Sequence, residues 1–223
     1  MALDTASARA MVEEARRARR VLMVAHVLRF WPAFVAMRET VRGGRYGAVR
    51  HARFERRSGV PMWGAWLQDP SLTGGGAFDL LIHDVDMCLH LFGKPVAVSA
   101  VRHQELLDAQ LYYSDLTAHI SGGWQPVGEF PFRMEYTVTL ERACLEYSSL
   151  GRPATLYAAG ETKALEIDAV DAYAAEIEYF AACCGEGRAP EMCPPAESAD
   201  AVTLALLLLE AARRNGEKIA CWI

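Results

Sequence analysis

The stretch that most restricts what this chain can become is Gly74-Gly75-Gly76-Ala77-Phe78-Asp79-Leu80-Leu81-Ile82-His83-Asp84-Val85-Asp86-Met87-Cys88-Leu89-His90-Leu91-Phe92-Gly93. A glycine run feeds a helical pattern of about four turns, which Gly93 and Pro95 stop. At about 100° per residue, Asp79, His83, Asp86 and His90 fall within an arc of roughly 60°. Most of the remaining circumference is apolar, from Leu80, Leu81 and Ile82 round to Leu91 and Phe92. A helix that is apolar nearly all round is a buried one. Carboxylates and imidazoles along one stripe of it are costly unless they hydrogen-bond, bind a ligand or do chemistry.

The chain around this helix has 223 residues, 52% of them hydrophobic, enough to bury a substantial core in one large domain or one domain and part of another. The net charge is −5, and basic residues cluster no further than pairs such as Arg16-Arg17 and Arg19-Arg20, so nucleic acid is not an expected partner. The apolar run Ala205–Leu209 is far too short to cross a bilayer. Met1-Ala2-Leu3-Asp4 lacks the basic-then-apolar opening of a signal peptide. Cys88, Cys144, Cys183, Cys184, Cys193 and Cys221 include no Cys-x-x-Cys pair. A reduced, cytoplasmic protein without a membrane partner is the expectation.

In chain order, Thr5 or Ser7 is placed to cap a helix running to about Arg20, and the apolar run Val21–Ala25 reads as a strand buried on both faces. Helix then strand is the last unit of a parallel α/β sheet whose other strands are not in this sequence. His26 to Pro32 follow at the carboxyl end of that strand, where such sheets bind ligands. A helix is expected from Pro32 to about Arg42, then a strand from Gly47 to Arg57. A long loop from Ser58 to Gly76 holds Trp63 and Trp66, and loops of that length are usually functional. After the long helix, Val96–His103, Leu116–Trp124, Phe132–Leu140 and Cys144–Ser149 read as strands of an antiparallel meander. Thr155–Ala159 and Ala164–Ile167 are weaker strand candidates. Helices are expected from Asp168 to Cys184 and from Pro194 to Asn215, with Lys218–Ile223 as a closing strand. The fold class is therefore α+β: an open, mostly antiparallel sheet with helices on one face, preceded by one helix–strand unit.

The order of motifs is distinctive: His26-Val27-Leu28-Arg29-Phe30-x-Pro32, an aromatic loop, Gly74-Gly75-x-x-x-Asp79-x-x-x-His83-x-x-Asp86, then Asp171-x-Tyr173-x-x-Glu176 and a last helix ending in Asn215-Gly216. Over essentially its whole length the chain resembles the Gfo/Idh/MocA oxidoreductases. That resemblance implies an N-terminal Rossmann domain binding NAD or NADP, joined to a C-terminal α+β domain whose open sheet face mediates homo-oligomers. It implies sugar, polyol or cyclitol-like substrates, and a first helix of the second domain that carries the catalytic Asp and His. Carried over, His83 is the proton-transfer residue and Asp79 its partner. Residues 1–31 become the C-terminal remnant of the dinucleotide-binding domain, and residues 32–223 the substrate and oligomerisation domain. The sequence departs from the family pattern in having no Gly-x-Gly-x-x-Gly, no acidic ribose-binding residue after it, and no Glu-Lys-Pro with its catalytic lysine. The expectation is a truncated member lacking roughly the first 100 residues, the usual size of a dinucleotide domain.

Alcohol oxidation needs a base for the hydroxyl proton, and histidine titrates near working pH. A carboxylate one turn away, at the i, i+4 spacing of Asp79 and His83, can fix the ring and stabilise the imidazolium. The competing reading is a buried Asp–His hydrogen bond without catalytic role. A single metal ion is not expected, because Asp79, His83, Asp86 and His90 spread over three turns; Asp86 instead caps or pairs at the domain boundary. Arg29 and Trp31 are substrate-binding candidates, although Arg29 serves equally well to pin the two domains together. Trp63 and Trp66 either wall a sugar pocket or plug their loop into the core. His26 and Phe30 are the candidates for cofactor contact. The function expected is NAD(P)-dependent hydride transfer on a sugar-like alcohol; the alternative is a non-catalytic oligomerisation or ligand-binding module.

Overall fold

The computed structural model describes residues 1–223. The chain opens with α1 (Thr5–Arg17), capped by the Asp4 carboxylate, which accepts from the Ser7 amide at 2.7 Å. The cap thus falls one residue before the expected Thr5, and the helix ends three residues before Arg20. Val21–Ala25 is not a strand: the segment has no ladder, since no strand of this chain lies alongside it. A single 3-10 turn, Val27–Arg29, leads into α2 (Pro32–Arg42), where Pro32 supplies a first-turn residue that needs no hydrogen-bond donor.

The remaining elements are β1 (Val49–Gly59), a 3-10 turn Ala65–Gln68, the short α3 (Pro70–Thr73), α4 (Gly76–Phe92), β2 (Ala97–His103), β3 (Leu106–Tyr112), β4 (Thr117–Gln125), β5 (Arg133–Leu140), β6 (Ala143–Ser148), β7 (Arg152–Ala158), β8 (Glu161–Ala164), α5 (Ala172–Glu186), α6 (Pro195–Arg213) and β9 (Ile219–Ala220). They form one nine-stranded sheet in the order β8-β7-β6-β5-β1-β4-β3-β2-β9. β1 and β4 run parallel at its centre and every other neighbouring pair is antiparallel. The α+β reading holds. β3 was not anticipated, and β8 lies at Glu161–Ala164 rather than at Ala164–Ile167.

Inward residues alternate along the strands, as Ala52, Phe54 and Arg56 do on β1 and Leu107, Ala109 and Leu111 on β3. They meet α4 and α6 in a single large core containing Phe54, Leu81, Val85, Ile120, Leu204 and Leu208. A smaller cluster of Ala8, Phe78, Ala199, Val202 and Ala205 seats α1 in the angle between α4 and α6. There Thr5 and Thr203 join their hydroxyls at 3.1 Å. The opposite face of the sheet carries polar and charged side chains such as Arg53, Glu55 and Arg133.

Candidate active site

The site grows from the first turn of α4. Gly75 has φ 77° and Gly76 lies so close to β4 that an added Cβ would come within 2.7 Å of the Trp124 backbone nitrogen. The Gly76 amide, one of the helix-start donors without an internal partner, donates instead to Glu105 Oε2 at 2.7 Å. The glycines therefore let α4 start hard against the sheet, with Asp79 in its first turn.

One turn on, Asp79 and His83 face a cavity of about 490 Å³. Its other walls come from Met1–Leu3, the Val24–His26 segment, the loop around Trp66 and Leu67, and Ser198 and Val202 of α6. The polar side chains in it lack protein partners to an unusual degree. His26 Nδ1 and Nε2, His83 Nδ1 and Ser198 Oγ are all buried without a hydrogen bond, whereas buried polar atoms are normally satisfied. The two rings stand edge to face. Burial, together with Arg56 and His26, lowers the His83 pKa to about 3. Burial, Arg29 and the chain's amino terminus lower that of His26 to about 3 as well. Both imidazoles are therefore neutral at neutral pH, and their surroundings oppose a proton on either ring. Burial raises the Asp79 pKa, and a hydrogen bond with the Trp124 side chain partly offsets this. Asp79 and His83 share the cavity, but no hydrogen bond joins them.

The rest of the stripe is structural. Asp86 is fully buried and accepts from Arg29 Nε and Nη2 at 2.8 and 2.6 Å. Arg29 Nη1 reaches the Met192 carbonyl at 2.8 Å and Glu197 at 2.7 Å. Arg29, a candidate for substrate contact, is thus committed to pinning the 26–31 segment onto α4 and α6, and it does not line the cavity. His90 sits against Arg42. Trp31 packs on Tyr173 and Phe30 on Tyr179, both away from the cavity. Trp66 lines the cavity, while Trp63 stands over an adjoining hollow.

Several residues of the site were not singled out in the sequence. Asp84 is fully buried and takes two hydrogen bonds from Arg56 of β1, at 2.8 and 3.2 Å. Burial pushes both Asp84 and Asp86 up, and their guanidinium partners pull them back. The signal for this pair was present: Asp84 falls on the apolar face, and Arg56 is in phase with inward Ala52 and Phe54 on β1. Ser198 and Trp124 carried no such signal.

Comparison with known proteins agrees with this fold. The profile of the GFO/IDH/MocA C-terminal domain matches residues 34–141. A trans-1,2-dihydrobenzene-1,2-diol dehydrogenase of Mus musculus is 39% identical over 106 residues, 45% of this chain and 31% of that protein. A D-glucoside 3-dehydrogenase of Escherichia coli (strain K12) is 34% identical over 104 residues, 46% of this chain and 30% of that protein. The matched segments thus span about a third of each relative's length. Among solved structures, an aldose-aldose oxidoreductase from Caulobacter crescentus complexed with glycerol superposes with a TM-score of 0.86 at 21% identity. That superposition covers 99% of this chain and 70% of the other, and it shows the shared fold.

Proposed function

We propose that this chain is a member of the Gfo/Idh/MocA family and carries the substrate-side half of an NAD(P)-dependent oxidoreductase that moves hydride between nicotinamide and an alcohol of a sugar, polyol or cyclitol. The observation behind the reading is the convergence of Asp79, His83, His26 and Ser198 on one cavity, most of them without protein partners. The relatives named above are a diol and a glucoside dehydrogenase.

The residues present fit the nicotinamide end of a dinucleotide. Phe78, Ile82 and Val202 offer apolar wall to a flat ring, and the unpartnered His26 nitrogens and Ser198 hydroxyl suit its carboxamide. No Gly-x-Gly-x-x-Gly turn for the pyrophosphate occurs in this sequence. When bound, the nicotinamide supplies the hydride acceptor. His83, which lines the cavity, takes the hydroxyl proton with the help of the Asp79 carboxylate, because burial and Arg56 by themselves oppose a charge on the ring. Asp79, one turn away, offers its carboxylate to a neighbouring hydroxyl and favours the imidazolium that forms. The apolar walls keep bulk water from the reacting atoms.

The test is nicotinamide reduction by a panel of sugars and polyols, followed by absorbance. Turnover with NAD+ or NADP+ that falls by at least about 100-fold in His83→Ala is the expected result, the scale of losing a positioned base. Turnover unchanged in that variant removes His83 from the mechanism. The sheet face left uncovered by α4 and α6 favours one second reading, a ligand-binding and oligomerisation module. That reading requires polyol binding and a homo-oligomer through the uncovered sheet face on sizing, with no dinucleotide binding by calorimetry.

A further inference from the structure

We infer that the substrate is a two-ring glycoside, whose reacting ring meets Asp79 and His83 and whose second ring lies on Trp63 and Trp66. This rests on the oxidoreductase reading above and extends it to the part of the substrate that does not react.

A second hollow, of about 830 Å³, opens beyond the first at the ends of β1 and β4. Asp79, Trp66 and Leu67 line both spaces, so the two are lobes of one site with a carboxylate at the waist. Ligand sites run from about 300 to 1,000 Å³, so each lobe alone is of ligand size. A single sugar ring held at His83 leaves the outer lobe empty.

The chemistry of the outer lobe narrows its occupant. Trp63 is 80% exposed and Trp66 56%, and Met62 beside them 73%. Large apolar groups gathered in water around a concavity mark a binding surface. Their loop is held in shape: Gln68 Nε2 closes it onto the Pro61 carbonyl at 2.9 Å, and Gly64 has no side chain to obstruct the Trp66 indole, which would lie 3.1 Å from a Cβ there. Trp124 adds a third indole wall. Asp79 is the sole charged side chain lining the lobe, and no arginine or lysine does. The lobe therefore suits a neutral ring with a flat apolar face, an aromatic aglycone or a second pyranose. It does not suit the phosphates of a nucleotide sugar, which call for guanidinium or ammonium partners.

Calorimetry of the 223-residue chain with methyl glucoside, phenyl glucoside, cellobiose and UDP-glucose tests this. Phenyl glucoside or cellobiose is expected to bind at least about fivefold tighter than methyl glucoside, the scale of stacking one ring on an aromatic side chain. Trp63→Ala is expected to bring that ratio towards one, with an unchanged thermal midpoint because the side chain stands in solvent. Equal affinity for one-ring and two-ring ligands, a ratio unmoved by Trp63→Ala and Trp66→Ala, or tightest binding of UDP-glucose overturns the inference and leaves the oxidoreductase reading standing. If none of the four binds, the reading of the site as a sugar site fails, and the inference with it.

Discussion

The rings of His26 and His83 meet at 86° with 6.5 Å between centroids, one from the segment after α1 and the other from α4. Neither His26 nitrogen nor His83 Nδ1 has a hydrogen-bond partner. The pair can stay this close because both rings are neutral. A proton on either would be buried and would face Arg29, Arg56 or the other ring; the one anion near His26, Asp86, stands 3.5 Å from its Nε2 and is already held by Arg29.

Acid is accordingly expected to unfold the protein early. His26, His83 and the half-buried His90 each have a folded pKa of about 3 against 6.5 in the open chain. Between those values the unfolded state binds protons that the folded state refuses, so stability is full above pH 6.5 and falls as pH drops towards 3. Glu176, raised to about 7 by burial, works in the opposite sense, and its contribution is lost as pH rises from 4.5 through 7. Urea midpoints measured from pH 4 to 8 should fall steeply on the acid side, and His83→Gln should flatten that limb. An acid limb of the same slope in the variant would remove His83 from the cause.

Arg29 is expected to be among the most sensitive positions for stability. Its side chain is fully buried, and removing one member of a buried pair strands the other charge, at a cost of about 3–5 kcal/mol. Arg29→Met should show that loss in denaturant unfolding. The double change Arg29→Met with Asp86→Leu should cost less than Arg29→Met alone, because no unpaired charge then remains. Glu197, partly exposed, can turn to water in either case.

Gly76→Ala reverses the usual sign of that substitution. Alanine inside a helix normally gains about 1 kcal/mol over glycine. Here its Cβ would meet Trp124 Cγ at 2.6 Å and the Trp124 backbone nitrogen at 2.7 Å, and the backbone cannot yield. Overpacking of this kind costs about 1–3 kcal/mol, so the thermal midpoint should drop by several degrees, at roughly 2–4 °C per kcal/mol. A rise in midpoint would mean that α4 does not sit this close to β4.

Ser198→Ala separates stability from function. The hydroxyl is buried and bonded to nothing, so its removal should leave unfolding unchanged or stabilise by up to about 1 kcal/mol. Ligand affinity should nevertheless weaken, on the order of fivefold for one lost hydrogen bond. Stability and affinity that fall together would mean that Ser198 has a structural partner.

The parts of this architecture that could be read from sequence are those set by local chemistry. α4 begins and ends at its glycines and α2 begins at Pro32, as their residues require. β3 escaped because its turn is made by Gln104, at φ 55°, and Glu105, without the glycine, proline or asparagine that normally signals a reversal. Val21–Ala25 has the composition of a buried strand, but a strand also needs a neighbour, and composition does not supply one. The Asp79 and His83 side chains share a cavity as their spacing implied. Asp84 went unremarked because its partner lies 28 residues earlier on another element, and Ser198 because nothing in a lone serine marks it as facing a cavity.

Asp84 and Asp86 stand two residues apart, so about 200° apart around the axis of α4. Arg56 holds one from the sheet side, and Arg29 holds the other from the opposite flank. A cylinder keyed at two nearly opposed points can neither roll nor slide. Whatever binds in the cavity therefore meets Asp79 and His83 at an azimuth already set, and the ligand need not spend its affinity on turning the helix.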